Sequence, residues 1–377
     1  MMSKLRIASG LMLFAFVLGH LLTLAFGMVS FKAMDSASDI LMGAWANPIG
    51  GPLLMISFIV HGLLGIWTIF WRNTLLMSWQ DGAQALLGLA TVPLLLPHIM
   101  GVVVGPQMTG QHASFEWVFA VYWIFAPQLG IQQVLALIVI WIHGCYGLFL
   151  WMQVQNWWGR FGAFTYPLVV IVPVASLLGF VEGGKILLAN ADDQEFMAPV
   201  RETAAAYDQV GAQLWQIHDQ ILLWYGALIL VVLAARAIRV RRRLAKVSVT
   251  YVDGPTIERK AGLSLLEIGQ TRDVANAALC GGRGRCGSCA VRVIEGAGAL
   301  SDIGNQEAQT LAKRSAGPTI RLACQAMPTG GAVVVETVYP PAISPSEYQA
   351  LLRRGKAEPV ESDTAEPEPA LASEGGQ

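Results

Sequence analysis

Cys280-Gly-Gly-Arg-Gly-Arg-Cys286-Gly-Ser-Cys289, followed at a distance by Cys324, decides how this chain is read. Four of its five cysteines lie here, spaced C-x5-C-x2-C-x34-C. Thiolates are the ligands of iron–sulfur clusters. Three on one short loop, with a fourth from a distant strand, make a four-ligand set for [2Fe–2S]. Gly281, Gly282, Gly284 and Gly287 let the loop wrap a small inorganic core through backbone angles that a Cβ forbids. Their N–H groups can then point at the sulfurs, and Arg283 and Arg285 would offset part of the cluster's negative charge. Two plainer readings compete. Zinc ribbons use paired C-x2-C knuckles, and only one such pair is present. A disulfide framework does not suit a domain expected in the cytoplasm. The pattern favours Cys280, Cys286, Cys289 and Cys324 as ligands of one [2Fe–2S] cluster.

The rest of the composition is that of a membrane protein. The chain has 377 residues, 54% hydrophobic and only 14% charged, with 12 tryptophans. Net charge is −1, and no basic surface points to nucleic acid. Six apolar segments, each long enough to span a bilayer, precede the cysteine loop. They lie near Ile7–Met28, Leu53–Trp71, Ala83–Val104, Gln132–Met152, Tyr166–Leu188 and Leu214–Ile238. The first is too long for a signal peptide and no small-x-small cleavage site follows, so a retained anchor is expected. Lys4, Arg6, Arg72, Arg160, Arg239, Arg241, Arg242, Arg243 and Lys246 all fall on one side, which the positive-inside rule makes the cytoplasm. The alternate loops carry Asp35, Asp39, Glu116, Asp192, Asp193, Glu195 and Glu202. Both termini and the cysteine domain are therefore expected on the cytoplasmic face of a multi-pass protein of the bacterial inner membrane.

From Val247 the pattern changes. Val247–Val252, Ala290–Ile294, Thr319–Cys324 and Ala332–Val338 read as strands, and Leu263–Gln270 and Gln306–Lys313 as helices. That order suits an α+β β-grasp domain following an all-α transmembrane bundle of six spans. The expected division is 1–246 for the bundle, 247–340 for the cluster domain and 341–377 for the remainder. In that remainder Ser344–Arg354 can form one helix, and the acidic, Pro-rich stretch from Glu358 to Gln377 reads as disordered.

Four of the six histidines lie inside the first four spans, one in each: His20, His61, His98 and His143. Ionisable groups within spans are costly and suggest function by default. Axial ligation of haem is a natural use of paired imidazoles in a helix bundle. Gly19, Gly62, Gly101 and Gly144, each close to one of them, would smooth the helix faces for a flat macrocycle, although glycine also serves plain helix packing. The competing reading is four histidines hydrogen-bonding between helices. At 1.5 Å per residue, His61 and His143 lie roughly 16 Å from the cytoplasmic charges, and His20 and His98 roughly 20 Å or more. That predicts an inner pair, His61 with His143, and an outer pair, His20 with His98. His218 begins span six near the outer surface and reads as an interfacial residue or quinone contact. His112 reads as a solvated loop residue and Cys145 as a packing residue. Glu182 and Lys185 read as an ion pair.

Two resemblances bear on these residues. Leu279 to Val293, with Arg321-Leu-Ala-Cys324-Gln325, resembles the ferredoxin family, and the five-residue first gap is closer to its vertebrate-type branch. Ser9-Gly-Leu-Met-Leu-Phe-Ala-Phe-Val-Leu-Gly-His20-Leu-Leu and Trp141-Ile-His143-Gly-Cys-Tyr-Gly147 are similar to spans of the dihaem cytochrome b anchors of succinate dehydrogenase and fumarate reductase. That resemblance covers roughly residues 5–155. It implies two haem b groups, with the first histidine paired to the third and the second to the fourth. The whole arrangement also resembles the N-terminal half of certain bacterial class III adenylate cyclases. No cyclase domain fits after the last predicted strand, so cyclase activity is not expected in this chain.

The function expected from these readings is electron transfer between membrane haem b, with a quinone or outer-side partner, and a cytoplasmic [2Fe–2S] cluster. Ferredoxin clusters lie at lower potential than haem b of such anchors, which makes cluster to haem the easier direction. The alternative is a redox-sensing membrane module acting on a signalling partner such as an adenylate cyclase. No G-x-G-x-x-G loop opens a helix after a strand, so nicotinamide input would need another subunit. The expected partners are membrane lipid, a quinone and a cytoplasmic redox or signalling protein. Assembly as a homo-oligomer is left open.

Overall fold

The computed structural model describes residues 2–75, 77, 79–155, 157–242 and 245–354. Arg243 and the acidic stretch from Glu358 lie outside them. The first part is helical: α1 (Met2–Ala25), α2 (Phe31–Leu41), α3 (Gly50–Trp71), α4 (Trp79–Ile99), α5 (Gly105–Thr109), α6 (Phe115–Ala120), α7 (Pro127–Met152), α8 (Trp158–Phe161), α9 (Thr165–Ala189) and α10 (Ala198–Arg241). Among the described residues six helices are long and apolar enough to cross a membrane: Met2–Met28, Gly50–Trp71, Trp79–Thr109, Pro127–Met152, Gly162–Ala189 and Ala198–Arg241. This is the build of a multi-pass membrane protein. Large apolar side chains such as Ile56, Leu63, Leu168, Val170, Leu223 and Leu230 point outward from it.

The sixth span departs most from the sequence expectation. It is part of one helix of 44 residues that begins 16 positions earlier than Leu214. Beyond Pro199, in its first turn, nothing breaks it, and Ala204, Ala205 and Ala206 favour helix. Its early part also has something to pack on. Val200 is buried in a cap with Phe31, Met34, Trp117, Phe119, Leu187 and Met197, and the ring of Tyr207 lies 4.8 Å from that of Trp117.

Prolines inside spans free backbone carbonyls, and lipid offers those carbonyls no donor. In this bundle a side chain from another helix serves each one. Pro93 leaves the carbonyl of Leu89, four residues earlier, without an N–H; the Tyr225 hydroxyl donates to it at 2.8 Å. Pro97 leaves the carbonyl of Pro93, which accepts from Gln132 Nε2 at 3.2 Å. Pro173 leaves that of Val169, which accepts from Trp141 Nε1 at 2.8 Å. Between α4 and α5 the chain is a π-helix over Met100–Val104, whose wider turn aims the Gly101 carbonyl at Pro106; Tyr207 donates to it at 2.6 Å. At the end of α3, Arg239 Nη2 donates to the Phe70 carbonyl and Arg236 Nε to that of Arg72.

The second part is a five-stranded sheet. Its strands are β1 (Lys246–Tyr251), β2 (Thr256–Lys260), β3 (Ala290–Glu295), β4 (Ile320–Leu322) and β5 (Gly331–Thr337), in the order β2-β1-β5-β3-β4. β1 and β5 are parallel and the other pairs antiparallel. Helices α11 (Leu265–Gln270) and α12 (Asn305–Lys313) complete the mixed domain, and α13 (Pro345–Arg354) follows it. Val247, Val249 and Tyr251 of β1 face a core with Leu265, Ile268, Val291, Val333 and Val335. The second strand was not expected from sequence. Of Ile257-Glu-Arg-Lys260 only Ile257 is buried, and charge on the remainder suits an edge strand. α11 starts with a capping box between Ser264 and Glu267. The carboxylate of Glu307, buried on α12, accepts from Arg321 at 2.9 and 3.0 Å and from the Leu322 backbone N–H at 2.8 Å, tying α12 to β4.

Tyr225→Phe should lower stability by about 1 kcal/mol, the scale of a hydrogen bond between membrane helices. The same change in a Pro93→Ala background should cost close to nothing, because the alanine backbone supplies the missing N–H itself. Thermal unfolding of the four proteins in detergent measures the difference.

Candidate metal centres

The cysteine loop joins the end of α11 to β3. Gly281, Gly282, Gly284 and Gly287 all take left-handed angles, with φ of 63°, 72°, 67° and 82°. This winds the backbone so that the N–H groups of Arg283, Arg285 and Cys286 turn toward Cys280. The Cys286 thiol donates to Cys280 as well; this bond foremost, with the N–H groups, pushes the Cys280 thiol down to about 5, while Cys286 and Cys289, bonded to Cys280 and Cys324, are pushed up. Negative charge is thus best held at Cys280. Cys324, from the turn after β4, brings its sulfur to 3.2 Å from that of Cys289.

The four sulfurs fall into two pairs, Cys280 with Cys286 and Cys289 with Cys324. Among the described residues no three metal-ligating groups converge on one point. A single tetrahedral zinc needs four ligands about one centre, whereas two irons bridged by sulfide need two thiolates each. The paired arrangement suits the two-iron cluster. Cys280, Cys286 and Cys289 are at most 2% exposed.

Residues beyond the sheet support this loop from outside. Tyr348 of α13, 1% exposed, donates to the Cys286 carbonyl at 2.6 Å. Arg314 Nε donates to the same oxygen at 3.0 Å, and its guanidinium lies over the Tyr348 ring. Thr310 Oγ1 donates to the Gly284 carbonyl at 2.6 Å. The loop arginines also make bonds not expected from sequence, to the helix bundle: Arg285 donates to Ser3 Oγ at 2.8 Å and Arg283 reaches Asp81 Oδ1 at 3.5 Å. A third bond to the bundle runs from Gln153 Nε2 to the Leu279 carbonyl.

Inside the bundle the histidines meet in two pairs. The ring centroids of His20 and His98 are 5.9 Å apart, and those of His61 and His143 are 6.2 Å apart. His61 Nδ1 lies 3.2 Å from the Arg6 carbonyl, and His143 Nδ1 lies 3.1 Å from that of Gln84. A carbonyl can only accept, so both Nδ1 atoms carry the proton and both Nε2 lone pairs are free. His98 Nδ1 is 3.0 Å from the Tyr122 hydroxyl, and the His20 ring stacks on Phe16.

The glycines that matter most to these rings are not the neighbours read from sequence. A Cβ on Gly19 would meet the Leu41 carbonyl, and one on Gly144 the Phe14 ring, so both serve packing. Gly62 and Gly101 face open space. Close contact comes instead from Gly10 on α1 and Gly88 on α4, where a Cβ would lie 2.9 Å from His61 Cε1 and 2.8 Å from His143 Cε1. Each stands ten residues before a histidine of the other pair, His20 and His98. The same Gly-x9-His spacing also joins Gly51 to His61, so spacing alone does not single these two glycines out. Ten residues of helix put the two pairs roughly 15 Å apart, a wider gap than the depths counted from flanking charges indicated.

The remaining candidates are placed as follows. His218 is buried within α10, bonded through Nδ1 to Asp219 at 2.9 Å and edge-on to Trp215. His112 is exposed. Cys145 is half-buried beside Trp141 and Leu137. Lys185 and Glu182 form an exposed pair at 2.8 Å.

Cys286→Ser should abolish non-haem iron and acid-labile sulfide while leaving the helices intact by circular dichroism. Gly284→Val should cut the non-haem iron content several-fold, because it forces a β-branched residue to φ 67° with its Cβ 2.9 Å from the Gln325 side chain. Zinc as the resident metal of the wild-type loop, with no acid-labile sulfide, would overturn the two-iron reading.

Compared with known proteins, the chain as a whole matches no curated protein and no solved structure. Residues 250–329 match the family described as the 2Fe-2S iron-sulfur cluster binding domain, and all four paired cysteines lie within that match. The sheet domain is a ferredoxin-fold [2Fe–2S] domain with an iron–sulfur electron-transfer role, following a helical bundle of six membrane-capable spans.

Proposed function

We propose that this chain is a membrane electron-transfer protein that carries single electrons between haem b held in its bundle and the cluster of its cytoplasmic domain. The observation that carries this reading is the geometry of the two imidazole pairs. An iron bonded at ~2 Å to Nε2 of two opposed imidazoles puts their ring centroids roughly 6 Å apart. The pairs stand at 5.9 and 6.2 Å. The protonated Nδ1 atoms leave Nε2 as the ligand, the usual arrangement for a ligating histidine whose other nitrogen donates to a carbonyl. Gly10 and Gly88 allow the inner imidazoles to lean against the facing helices.

His61 and His143 would hold the inner haem, and His20 and His98 the outer one. Cys280, Cys286, Cys289 and Cys324 would hold the cluster. When bound, these groups supply the one-electron chemistry; the protein supplies ligation, burial and tuning. Arg6 and Gln84 fix the inner imidazoles by their carbonyls, and Tyr122 bonds the outer His98. All four histidines are half-buried in the bundle. The one-sided positive charges support a cytoplasmic sheet domain and cytoplasmic termini, in a bacterial inner membrane. A quinone at the outer end, near His218, and a cytoplasmic redox protein are the proposed exchange partners.

A second reading is a redox-sensing module acting on a signalling partner such as an adenylate cyclase. One observation favours it. α13 bonds the cysteine loop through Tyr348 and the bundle through Gln349 Nε2, 3.4 Å from the Val154 carbonyl, and the chain continues from that helix. Enzyme-like turnover with a quinone supports the first reading. Slow reduction with partner binding that depends on redox state supports the second.

Purified protein should hold two haems b, two irons of the cluster and two sulfides per chain. His61→Ala or His143→Ala should remove one haem, and His20→Ala or His98→Ala the other. Gly88→Leu should remove the inner haem with every ligand in place. A well-prepared colourless sample would end the proposal.

A further inference from the structure

The cysteine loop and the inner histidines are joined by the same device twice. Arg285 of the loop donates to Ser3, in the first turn of α1, from Nε at 3.1 Å and Nη2 at 2.8 Å. Three residues on is Arg6, whose carbonyl accepts from His61 Nδ1. Arg283 reaches Asp81, in the first turn of α4, while its Nη1 donates to the Cys280 carbonyl at 2.7 Å. Three residues on is Gln84, whose carbonyl accepts from His143 Nδ1 and whose Nε2 donates to the His143 carbonyl at 3.0 Å. The two helices that offer these carbonyls, α1 and α4, are not the helices that carry His61 and His143. In each case one arginine of the cluster loop grips the start of a helix, and one turn further in that helix holds an inner imidazole.

A helix's first turn is its least secured, because its leading N–H groups have no partner within the helix. A contact that pins that turn also pins the carbonyls one turn along. The direction in which an imidazole presents Nε2 follows from the bond at its other nitrogen.

We propose that Arg283 and Arg285 are positioning residues: by seating the cysteine loop on the first turns of α1 and α4 they orient His61 and His143, so that cluster domain and inner haem site form one unit. The proposal rests on the bis-histidine reading above. It makes the inner imidazole pair of the same chain the electron partner of the cluster. Consistent with this, the loop is closed over by the bundle on the side of Leu279 and by α13 on the side of Cys286.

The test uses the full chain in detergent. In the Arg283→Gln/Arg285→Gln variant the low-spin EPR signal of the inner haem should shift or broaden and inner-haem affinity should fall about tenfold, the lower end for lost support of a metal-ligating histidine. The outer signal should not move. Lysine at both positions should restore part of the effect. Ser3→Ala with Asp81→Asn should reproduce it from the bundle side, which decides the matter if the loop variant loses its cluster. An inner signal identical to wild type in both double variants overturns the proposal and leaves the haem reading standing. Wild-type protein without haem overturns both.

Discussion

A backbone carbonyl in hydrocarbon has no water to turn to, so the protein must bring it a donor. That requirement organises the membrane part of this chain. Tyr225, Gln132, Trp141 and Tyr207 are polar atoms in a lipid-facing bundle, and each answers an oxygen that a proline has released. These bonds run between helices, so each also fixes one helix against another. The prolines let α4 bend, and the answering side chains determine what it bends against. The His20–His98 level depends on this, because His98 directly follows Pro97 and precedes the π-helix.

The same economy governs the imidazoles. A histidine in lipid has two nitrogens to satisfy. Carbonyls of Arg6 and Gln84 satisfy one nitrogen of each inner ring, and the two rings stand 6.2 Å apart in the bundle. The inner level is thereby built by four helices, two giving rings and two giving glycine and carbonyl. At the outer level the roles exchange for α1 and α4, which there supply the rings. One helix can serve both levels because ten residues advance it by roughly 15 Å, while the glycine and the histidine lie only about 80° apart around it.

Much of this was legible beforehand. The cysteine spacing carried the cluster domain, because thiolates have few uses in that pattern and glycines at those positions have few uses other than left-handed turns. The six spans were legible from length and apolarity alone. The pairing of histidines was consistent with depth, but depth counted from flanking charges compressed the distance between levels. What could not be read were interactions between helices. Nothing local marks Gly10 or Gly88 as contacts of His61 or His143, since those contacts exist only after α1 meets α3 and α4 meets α7. The bonds of Arg283 and Arg285 to the bundle were hidden for the same reason: beside four sulfurs their charge had an obvious nearer use. β2 escaped because an edge strand tolerates a sequence as charged as Glu-Arg-Lys. α10 was cut short because only its lipid-spanning part is strongly apolar.

That long helix has a mechanical consequence. α10 runs as one rod from the cap, past α4 and α3, to within a few residues of β1, and Arg236 and Arg239 lock its lower end to the end of α3. A rod transmits rotation. One residue inserted between Arg236 and Arg239 would turn the second arginine by about 100° and shift it by about 1.5 Å relative to the first, so that both could no longer reach the end of α3. The spacing of these two arginines therefore acts as an indexing key, setting the azimuth at which the long helix meets its neighbour.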